Sequence, residues 1–220
     1  MSDARDPYEP TNRSVFEFNM AVDDYVLEPV ASGYRSLPNG AQTAITNFGT
    51  WTSYPSTAVN STLQGKFENA ALATIHFLVN GLTFGLVDLT ENDDNPTSED
   101  FGQTLATWNV PQGDYIMMPF LGAGTTRSHT GWVVDAFTNP LGFMGEPTVD
   151  TIRLASTPTR IVTFRGNNFD QINEVKYNSI DPYAKTRSLY FQYRDGQIVG
   201  LNANEPSESD KAFDEFFDDQ

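Results

Sequence analysis

Cysteine is absent from all 220 residues of the sequence. This absence excludes disulfide bonds, zinc–thiolate sites, a thiolate nucleophile and lipid attachment to a cysteine within these residues. Positive charge is also scarce, since 13 Lys and Arg stand against 29 Asp and Glu, for a formal net charge of −16. Nucleic acids and anionic headgroups are bound by clustered Lys and Arg. We therefore expect no nucleic-acid partner and no simple electrostatic attraction to anionic lipid.

Long apolar runs are missing as well. The nearest candidate is the stretch 77–89, which is interrupted by Asn80, Gly81, Gly85 and Asp88. It falls short of the roughly 18 apolar residues that a membrane-spanning helix needs. The sequence also does not open with the basic and then apolar segments of a signal peptide. We expect a chain that does not cross a bilayer as a single helix but can lie within one leaflet through hydrophobic contacts.

The spacing of apolar residues predicts a mostly α-helical fold. Helices are predicted over residues 11–26, 41–51, 55–63, 66–80, 99–107, 125–137, 169–178 and 182–194, while 149–164 suits either helix or strand. Ser98 is the predicted cap of the helix that starts at Glu99. Only residues 110–124, rich in Gly and Pro, are predicted to be extended or to form a hairpin. We expect one helical domain over 1–201, followed by a flexible acidic tail over 202–220.

The sequence offers little catalytic chemistry. Its two histidines are His76 and His129, and His129 follows Ser128 and precedes Asp135 by six residues, which invites a triad interpretation. However, a G-x-S-x-G elbow and an H-E-x-x-H motif are absent, and adjacent Ser and His cannot by themselves give nucleophile–base geometry. The acidic run 88–100 lacks the central Gly and the spacing of a calcium loop. We predict no enzymatic activity, no metal site and no cofactor.

Residues 122–127 (GAGTTR) have two possible interpretations. The first is a flexible turn into a helix. In the second, a lipid phosphate approaches the turn and Arg127, as anions do at helix N-termini. The sequence leaves both open.

Four blocks of the sequence resemble the MlaA/VacJ family of outer-membrane lipoproteins. The first is DPYEPTNRSVFEFN at 6–19, and the second contains FGQTL, WNV, GDY and MPFLG within 101–122. The third is DA followed by NPL at 135–141, and the fourth contains SIDPY, RSLY and YR within 179–194. The blocks follow the family order and cover about residues 6–195. The sequence departs from the usual family pattern at Asp114 and at the turn 123–125, and both departures concern local geometry.

The resemblance implies a ring of short amphipathic helices in the inner leaflet of a bacterial outer membrane, around an amphipathic channel. It implies removal of misplaced phospholipid from the outer leaflet, together with a porin trimer, and delivery to a periplasmic lipid carrier protein. Family members also carry a lipidated N-terminal cysteine after a signal peptide. Neither is found in these residues, which we interpret as truncation of both, with Met1 added as a start.

We expect the lipid path to be lined by the first helix, the predicted hairpin and the turn that follows it. The candidates are Asn12, Arg13, Phe16, Asn19, Pro119, Gly122 and Arg127. The main alternative is a soluble periplasmic lipid-binding or scaffold protein that uses the same helices as an ordinary core. A phospholipase is a third class, but it needs a nucleophile, and the sequence offers no convincing one.

The composition of the acidic tail differs from that of the rest of the chain, which generates a prediction. Deletion of residues 202–220 should leave the fold intact, because the apolar periodicity that builds the domain ends before them. The measurement is the thermal melting of the shortened chain beside the full chain. Loss of cooperative melting would contradict the prediction.

Overall fold

The structure is a computed structural model that describes residues 4–90, 94–143 and 147–199, so the predicted tail lies outside it. The fold is mostly α-helical with one antiparallel hairpin, as predicted. The α-helices are α1 (Glu9–Val22), α2 (Glu28–Arg35), α3 (Asn39–Trp51), α4 (Tyr54–Leu63), α5 (Phe67–Asn80), α6 (Phe101–Thr107), α7 (Thr126–Thr138), α8 (Pro147–Asn167), α9 (Phe169–Asn173) and α10 (Pro182–Val199). The strands are β1 (Tyr115–Met118) and β2 (Gly122–Thr125).

Proline positions explain where several helices begin. Pro10 and Pro29 lie in the first turns of α1 and α2, where a missing backbone N–H costs nothing. The first helix therefore begins at Glu9 rather than at residue 11. It does not end before Pro29, because a π-helical turn (Asp23–Leu27) leads directly into α2. The ambiguous segment 149–164 is helical and belongs to α8, which contains Pro158 in its interior.

The predicted cap of α6 was wrong by two residues. Asp100, not Ser98, is the N-cap, and its Oδ1 accepts a hydrogen bond of 2.9 Å from the backbone N–H of Gln103. Glu99 lies outside the helix, where its buried carboxylate pairs with Lys66. Both Ser and Asp are good caps. Here Asp100 also pairs with the distant Arg194, which local sequence cannot reveal.

The predicted hairpin is confirmed at residues 115–125. Tyr115 lies opposite Thr125 and Met118 lies opposite Gly122 in the antiparallel register. Phe120 and Gly122 at the turn adopt φ values of 64° and 77°. Such left-handed conformations suit Gly and strain a bulky side chain. The turn therefore depends on contacts outside the hairpin.

The helices and the hairpin pack in a closed circuit. Beginning at the first helix, α1 packs on β1, β1 on β2, β2 on α7, α7 on α6 and α6 on α4. The circuit continues from α4 through α5, α3 and α8 to α2, which connects back to α1 through the π-helical turn. The arrangement agrees with the expected ring of short helices.

Buried apolar side chains form two separate clusters on this circuit. One lies between α1, the hairpin and α10 and contains Phe16, Tyr115, Met117, Tyr183 and Phe191. The other lies between α3, α4 and α5 and contains Trp51, Tyr54 and Ala73. Each cluster locks neighbouring elements of the circuit together.

The contact between α6 and α7 requires glycine at Gly131. A Cβ atom added there would lie 2.2 Å from the backbone nitrogen of Gly102, a distance that no real contact permits. Because the obstacle is backbone rather than a movable side chain, the two helices would have to separate.

We predict that Gly131→Ala destabilises the protein by about 3 kcal/mol or more, as severe overpacking does. The matched control is Gly33→Ala in α2, where an added Cβ meets nothing within 4 Å. That change should stabilise by about 0.5–1 kcal/mol, the ordinary difference between Ala and Gly in a helix. Urea unfolding in mild detergent would measure both. Equal free energies of unfolding for the two variants would contradict the predicted close approach.

Candidate functional site

Asn12 connects the first helix to the hairpin. Its Oδ1 accepts a 2.9 Å hydrogen bond from the backbone N–H of Met117, and its Nδ2 donates to the backbone oxygen of Tyr115 at 3.1 Å. Nδ2 also donates to Asp6 Oδ1 at 2.8 Å. The Asn12 side chain is buried. These three bonds fix the edge of β1 against α1.

The buried carboxylate of Asp6, near the start of the described chain, contacts side chains near its end. Besides Asn12, it accepts hydrogen bonds from the Tyr183 hydroxyl and from Arg187, both on α10. Burial, together with the hydrogen bond to Asp6, raises the pKa of the Tyr183 hydroxyl far above its ordinary value. Arg187 supplies the positive charge that a buried carboxylate requires.

A second link between the same ends involves Arg13. Its guanidinium binds Asp181 with two parallel hydrogen bonds of 3.0 and 2.7 Å and also contacts Glu9. The hydrogen bond to Arg13 lowers the pKa of Asp181 to about 2. Asp181 also caps α10 through the backbone N–H of Ala184. Arg13 is therefore occupied by protein carboxylates in this structure.

Asn19 holds the turn of the hairpin. Its Nδ2 donates to the Met118 backbone oxygen and its Oδ1 accepts from the Phe120 backbone N–H, both at 2.9 Å. The ring of Phe120, 72% exposed, meets Phe18 edge-to-face at 5.2 Å. These contacts stabilise the left-handed backbone of Phe120 that the hairpin alone does not favour.

An open groove of about 420 Å³ lies between this face of α1 and the hairpin turn. Its lining is mainly apolar and consists of Pro10, Thr11, Ser14, Val15, Phe18 and Pro119. The predicted candidate Pro119 thus lies beside the first helix. None of these lining residues is charged.

Arg127 lies at the start of α7, and its guanidinium donates to the backbone oxygen of Val110 at 2.8 Å. Burial lowers the pKa of Arg127 from its usual value. The helix begins with a capping box formed by Thr125 and Ser128. Gly122, at the other end of β2, faces open space at its Cβ position.

The structure therefore brings only some of the candidates together. Asn19 and Pro119 lie at the hairpin turn, Asn12 and Arg13 belong to the contacts that join α1 to the hairpin and α10, and Phe16 packs edge-to-face on Tyr183 inside the first apolar cluster. Arg127 lies at the far end of β2. Contact of these residues with lipid stays a prediction.

The structure does not assemble the residues that invited a triad interpretation. The Ser128 hydroxyl binds Thr125 and Tyr190, while Nε2 of His129 lies 3.0 Å from the backbone oxygen of Ile116. Asp135 instead accepts hydrogen bonds from the Asn60 amide and the Phe101 backbone N–H. Each side chain has its own structural partner.

Helix α5 is inverted in its burial pattern: it buries small and polar side chains and exposes large apolar ones, the reverse of a helix in a water-soluble domain. Its buried side chains are small or polar, namely Ala70, Ala73, His76 and Asn80. The exposed apolar side chains in α5 and the segment that follows it are Phe67, Ile75, Leu78, Leu82, Phe84, Leu86, Val87 and Leu89. In the described part of the chain, no helix has the length and hydropathy needed to cross a membrane.

Buried polar groups hold the segment after α5 in place. Asp88 turns inward, where its Oδ1 accepts hydrogen bonds from the Asn80 amide and from the hydroxyl of Thr90. The Thr90 hydroxyl also lies 2.8 Å from Nδ1 of His76. Asp88 is the one Asp, Glu, Lys or Arg between Ile75 and Leu89, and these bonds direct its half-buried carboxylate toward buried partners. Sequence analysis missed this surface, although the lack of charge was a visible signal.

Comparison with known proteins identifies the family. The family model of the MlaA lipoprotein matches residues 4–197. The chain belongs to the MlaA lipoprotein family. A solved structure described as "Structural basis for maintenance of bacterial outer membrane lipid asymmetry" is similar, with a TM-score of 0.71 and 30% identity, covering 86% of this chain and 97% of that one.

Two relatives of this MlaA family member are bacterial proteins. The intermembrane phospholipid transport system lipoprotein MlaA of Escherichia coli K12 is 29% identical over 198 residues, covering 86% of this chain and 77% of that protein. An uncharacterized protein of Rickettsia felis is 30% identical over 201 residues, covering 88% and 78%.

The four blocks that resemble the MlaA family meet in space. Asp6 of the first block binds Tyr183 and Arg187 of the fourth. The Phe101 backbone N–H of the second block donates to Asp135 of the third. The blocks therefore contain residues that hold separate segments of the chain together.

The Asn12 contacts generate a prediction about the MlaA fold. Asn12→Ala should destabilise by about 2–4 kcal/mol, because it leaves buried groups of Asp6, Tyr115 and Met117 without partners. Asn19→Ala removes similar bonds at a partly exposed turn, where water can replace them, and should cost about 1 kcal/mol or less. Urea unfolding in detergent compares the two. If Asn12→Ala proves no worse than Asn19→Ala, the buried network carries less stability than its geometry indicates.

Proposed function

We propose that this MlaA family member lies in the inner leaflet of a bacterial outer membrane and moves phospholipid from the outer leaflet toward the periplasm. The relatives in Escherichia coli and Haemophilus influenzae are named as lipoproteins of an intermembrane phospholipid transport system. In this role the chain works with a porin trimer and passes phospholipid to a periplasmic lipid carrier protein, as the family resemblance implies.

The observation that carries the proposal is the inverted helix α5 with the apolar segment that follows it. Transferring one large aliphatic or aromatic side chain out of water gains about 1.5–3 kcal/mol. The eight exposed side chains of this surface together represent on the order of ten kcal/mol if lipid covers them. Because the chain has a net charge of −16, its attachment to lipid rests on this hydrophobic contact.

Polar side chains buried between helices of the circuit are paired with one another, as a protein at membrane depth requires. Polar side chains gather where α4, α6 and α7 meet, with the Thr104 hydroxyl donating to Asn60 at 2.9 Å and Asn60 donating to Asp135 at 2.8 Å. Backbone and side-chain polar groups at membrane depth must be paired or face water. Asn60 and Thr104 are fully buried, so they pair within the wall of the ring, and the amphipathic channel for a headgroup is what the family resemblance implies.

The groove between α1 and the hairpin turn is the proposed place for acyl chains. Phe18, Val15 and Pro119 give it an apolar wall, and the exposed ring of Phe120 lies at its edge. Headgroups then follow the polar interior, while the tails keep apolar contact. This arrangement avoids bringing hydrocarbon into water during transfer.

The membrane contact predicts the behaviour of Leu78→Asp/Leu82→Asp. Wild-type protein should float with vesicles of phosphatidylethanolamine and phosphatidylglycerol, and the double variant should bind at least tenfold less, because two charges then face hydrocarbon. The control is Ser188→Glu/Gln192→Glu, which adds the same charge at exposed positions of α10.

Flotation on a density gradient and circular dichroism would be recorded for all three proteins. Normal flotation of correctly folded Leu78→Asp/Leu82→Asp would contradict the proposal that this surface contacts the membrane. A wild-type chain that stays in the aqueous fraction and needs no detergent would favour the alternative of a soluble periplasmic lipid-binding or scaffold protein.

A further inference from the structure

A second pocket lies between the loop 110–114, which leads into the hairpin, and the first turn of α7. Its volume is about 250 Å³. Its lining includes the apolar residues Leu105, Val110 and Pro111 and the polar residues Asp114, Thr126 and Arg127. Drug-sized ligands occupy pockets of roughly 300–1,000 Å³, so this pocket fits a smaller group such as a lipid headgroup.

Backbone contacts hold the loop on the helix. The Thr126 N–H donates to the backbone oxygen of Asp114 and the Arg127 N–H donates to that of Gln112, both at 3.1 Å. Gly113 has a φ of 73°, and a Cβ atom added to it would lie 2.9 Å from Cβ of Thr126. These two backbone donors at the start of α7 are thus already bonded. A ligand in the pocket must therefore be held by side chains rather than by the helix N-terminus.

The pocket contains one positive and one negative side chain that do not pair with each other. Asp114 and Arg127 form no ion pair among the residues that the structure describes. The half-buried Arg127 guanidinium donates to the backbone oxygen of Val110 at 2.8 Å, which fixes its position and leaves most of its five N–H donors available. Asp114 is exposed, and its carboxylate accepts no hydrogen bond from the described part of the chain. Two opposite charges are therefore presented separately within one small pocket.

An arginine without a carboxylate partner is not by itself a site, since Arg153 on α8 is also exposed and has none among the described residues. What distinguishes this pocket is that Asp114 and Arg127 share it with an apolar wall. A single carboxylate beside a guanidinium does not suit a metal ion, and the carboxylate repels a ligand that carries negative charge alone. The arrangement suits a zwitterion, which carries both charges at a short separation.

Phosphoethanolamine is a zwitterion that matches these groups. Its phosphate fits the paired N–H donors of a guanidinium, and the Thr126 hydroxyl is a further donor in the same turn of helix. Its primary ammonium has three N–H donors for a carboxylate such as that of Asp114. Val110 and Pro111 offer an apolar wall to the glycerol carbons that follow the phosphate. By contrast, a choline headgroup has no N–H to donate, and a glycerol headgroup has no positive charge.

We propose that this pocket binds the phosphoethanolamine headgroup of phosphatidylethanolamine, with Arg127 on the phosphate and Asp114 on the ammonium. The inference rests on the proposed function, which supplies a phospholipid as the ligand, and it adds a preference among headgroups. Arg127 contributes affinity for every phospholipid, because all of them carry the phosphate. Asp114 contributes the preference, because the ammonium of phosphatidylethanolamine offsets its charge and the neutral glycerol of phosphatidylglycerol does not.

The test compares Asp114→Asn and Arg127→Gln with two matched controls, Asp150→Asn and Arg153→Gln. The controls remove the same charges at exposed positions of α8, outside the pocket lining. The full chain in detergent is titrated with short-chain phosphatidylethanolamine, with phosphatidylglycerol of the same tails, and with glycerophosphoethanolamine, which has the headgroup and no tails. Isothermal titration calorimetry measures each affinity, and thermal melting checks that each variant is folded.

We expect the wild-type protein to bind phosphatidylethanolamine about tenfold more tightly than phosphatidylglycerol, and Asp114→Asn to abolish this preference. A tenfold effect is at the low end for a hydrogen bond to a charged group, as suits an exposed carboxylate. Arg127→Gln should weaken the binding of both phospholipids by about tenfold without changing their ratio. Both controls should bind as wild type. Glycerophosphoethanolamine should compete with phosphatidylethanolamine, but about tenfold or more weakly, because it lacks the apolar tails.

Three results would overturn the headgroup site while leaving the proposed function in place. The first is equal affinity of the wild-type protein for the two phospholipids, and the second is an unchanged preference in folded Asp114→Asn. The third is a loss in Arg153→Gln equal to that in Arg127→Gln, because net charge would then determine binding. If glycerophosphoethanolamine binds as tightly as the lipid, the pocket takes a free headgroup compound and the assignment to a lipid is wrong. A wild-type chain that binds neither phospholipid contradicts the proposed function itself, and the headgroup site with it.

Discussion

The fold depends on one buried carboxylate, that of Asp6. A charge in the interior is tolerated only when it is paired and hydrogen-bonded. Asp6 meets this requirement through Asn12 on α1 and through Tyr183 and Arg187 on α10. Those partners are separated from one another by most of the chain. The pairing of the carboxylate thereby depends on the docking of α10 beside α1, and through Asn12 it is tied to the position of the hairpin.

A second buried network holds the opposite part of the circuit. Arg165 of α8 and Lys176 of the π-helical turn (Glu174–Asn178) both bind Asp23 of the first π-helical turn, and both also reach Glu28 at the start of α2. These pairs hold the π-helical turn between α1 and α2 against α8 and the second π-helical turn. Polar clusters thus take the place of a single central core, and the apolar side chains that a core would use are free to face outward.

Much of the architecture follows from the sequence, because helix starts and the hairpin are marked by local signals. Pro10 and Pro29 identify helix beginnings, and the glycines around Tyr115 identify the hairpin. The period of α5 was also visible in the sequence, but a period reveals two faces without telling which one is buried. The cap at Asp100 and the structural contacts of Asn12 could not be predicted, because their partners lie about a hundred residues away.

The distance along the chain between Asp6 and its partners has a consequence for folding order. The carboxylate cannot be satisfied until α10 has been synthesised, so the N-terminal segment must wait, unpaired, for nearly the whole chain. Contacts of such long sequence separation form slowly, because the entropy of closing a large loop must be overcome first. During that interval α10 is not docked, and the large apolar side chains exposed on α5 and on the segment after it are uncovered. Folding of this protein therefore requires that the chain be kept from self-association until α10 has docked.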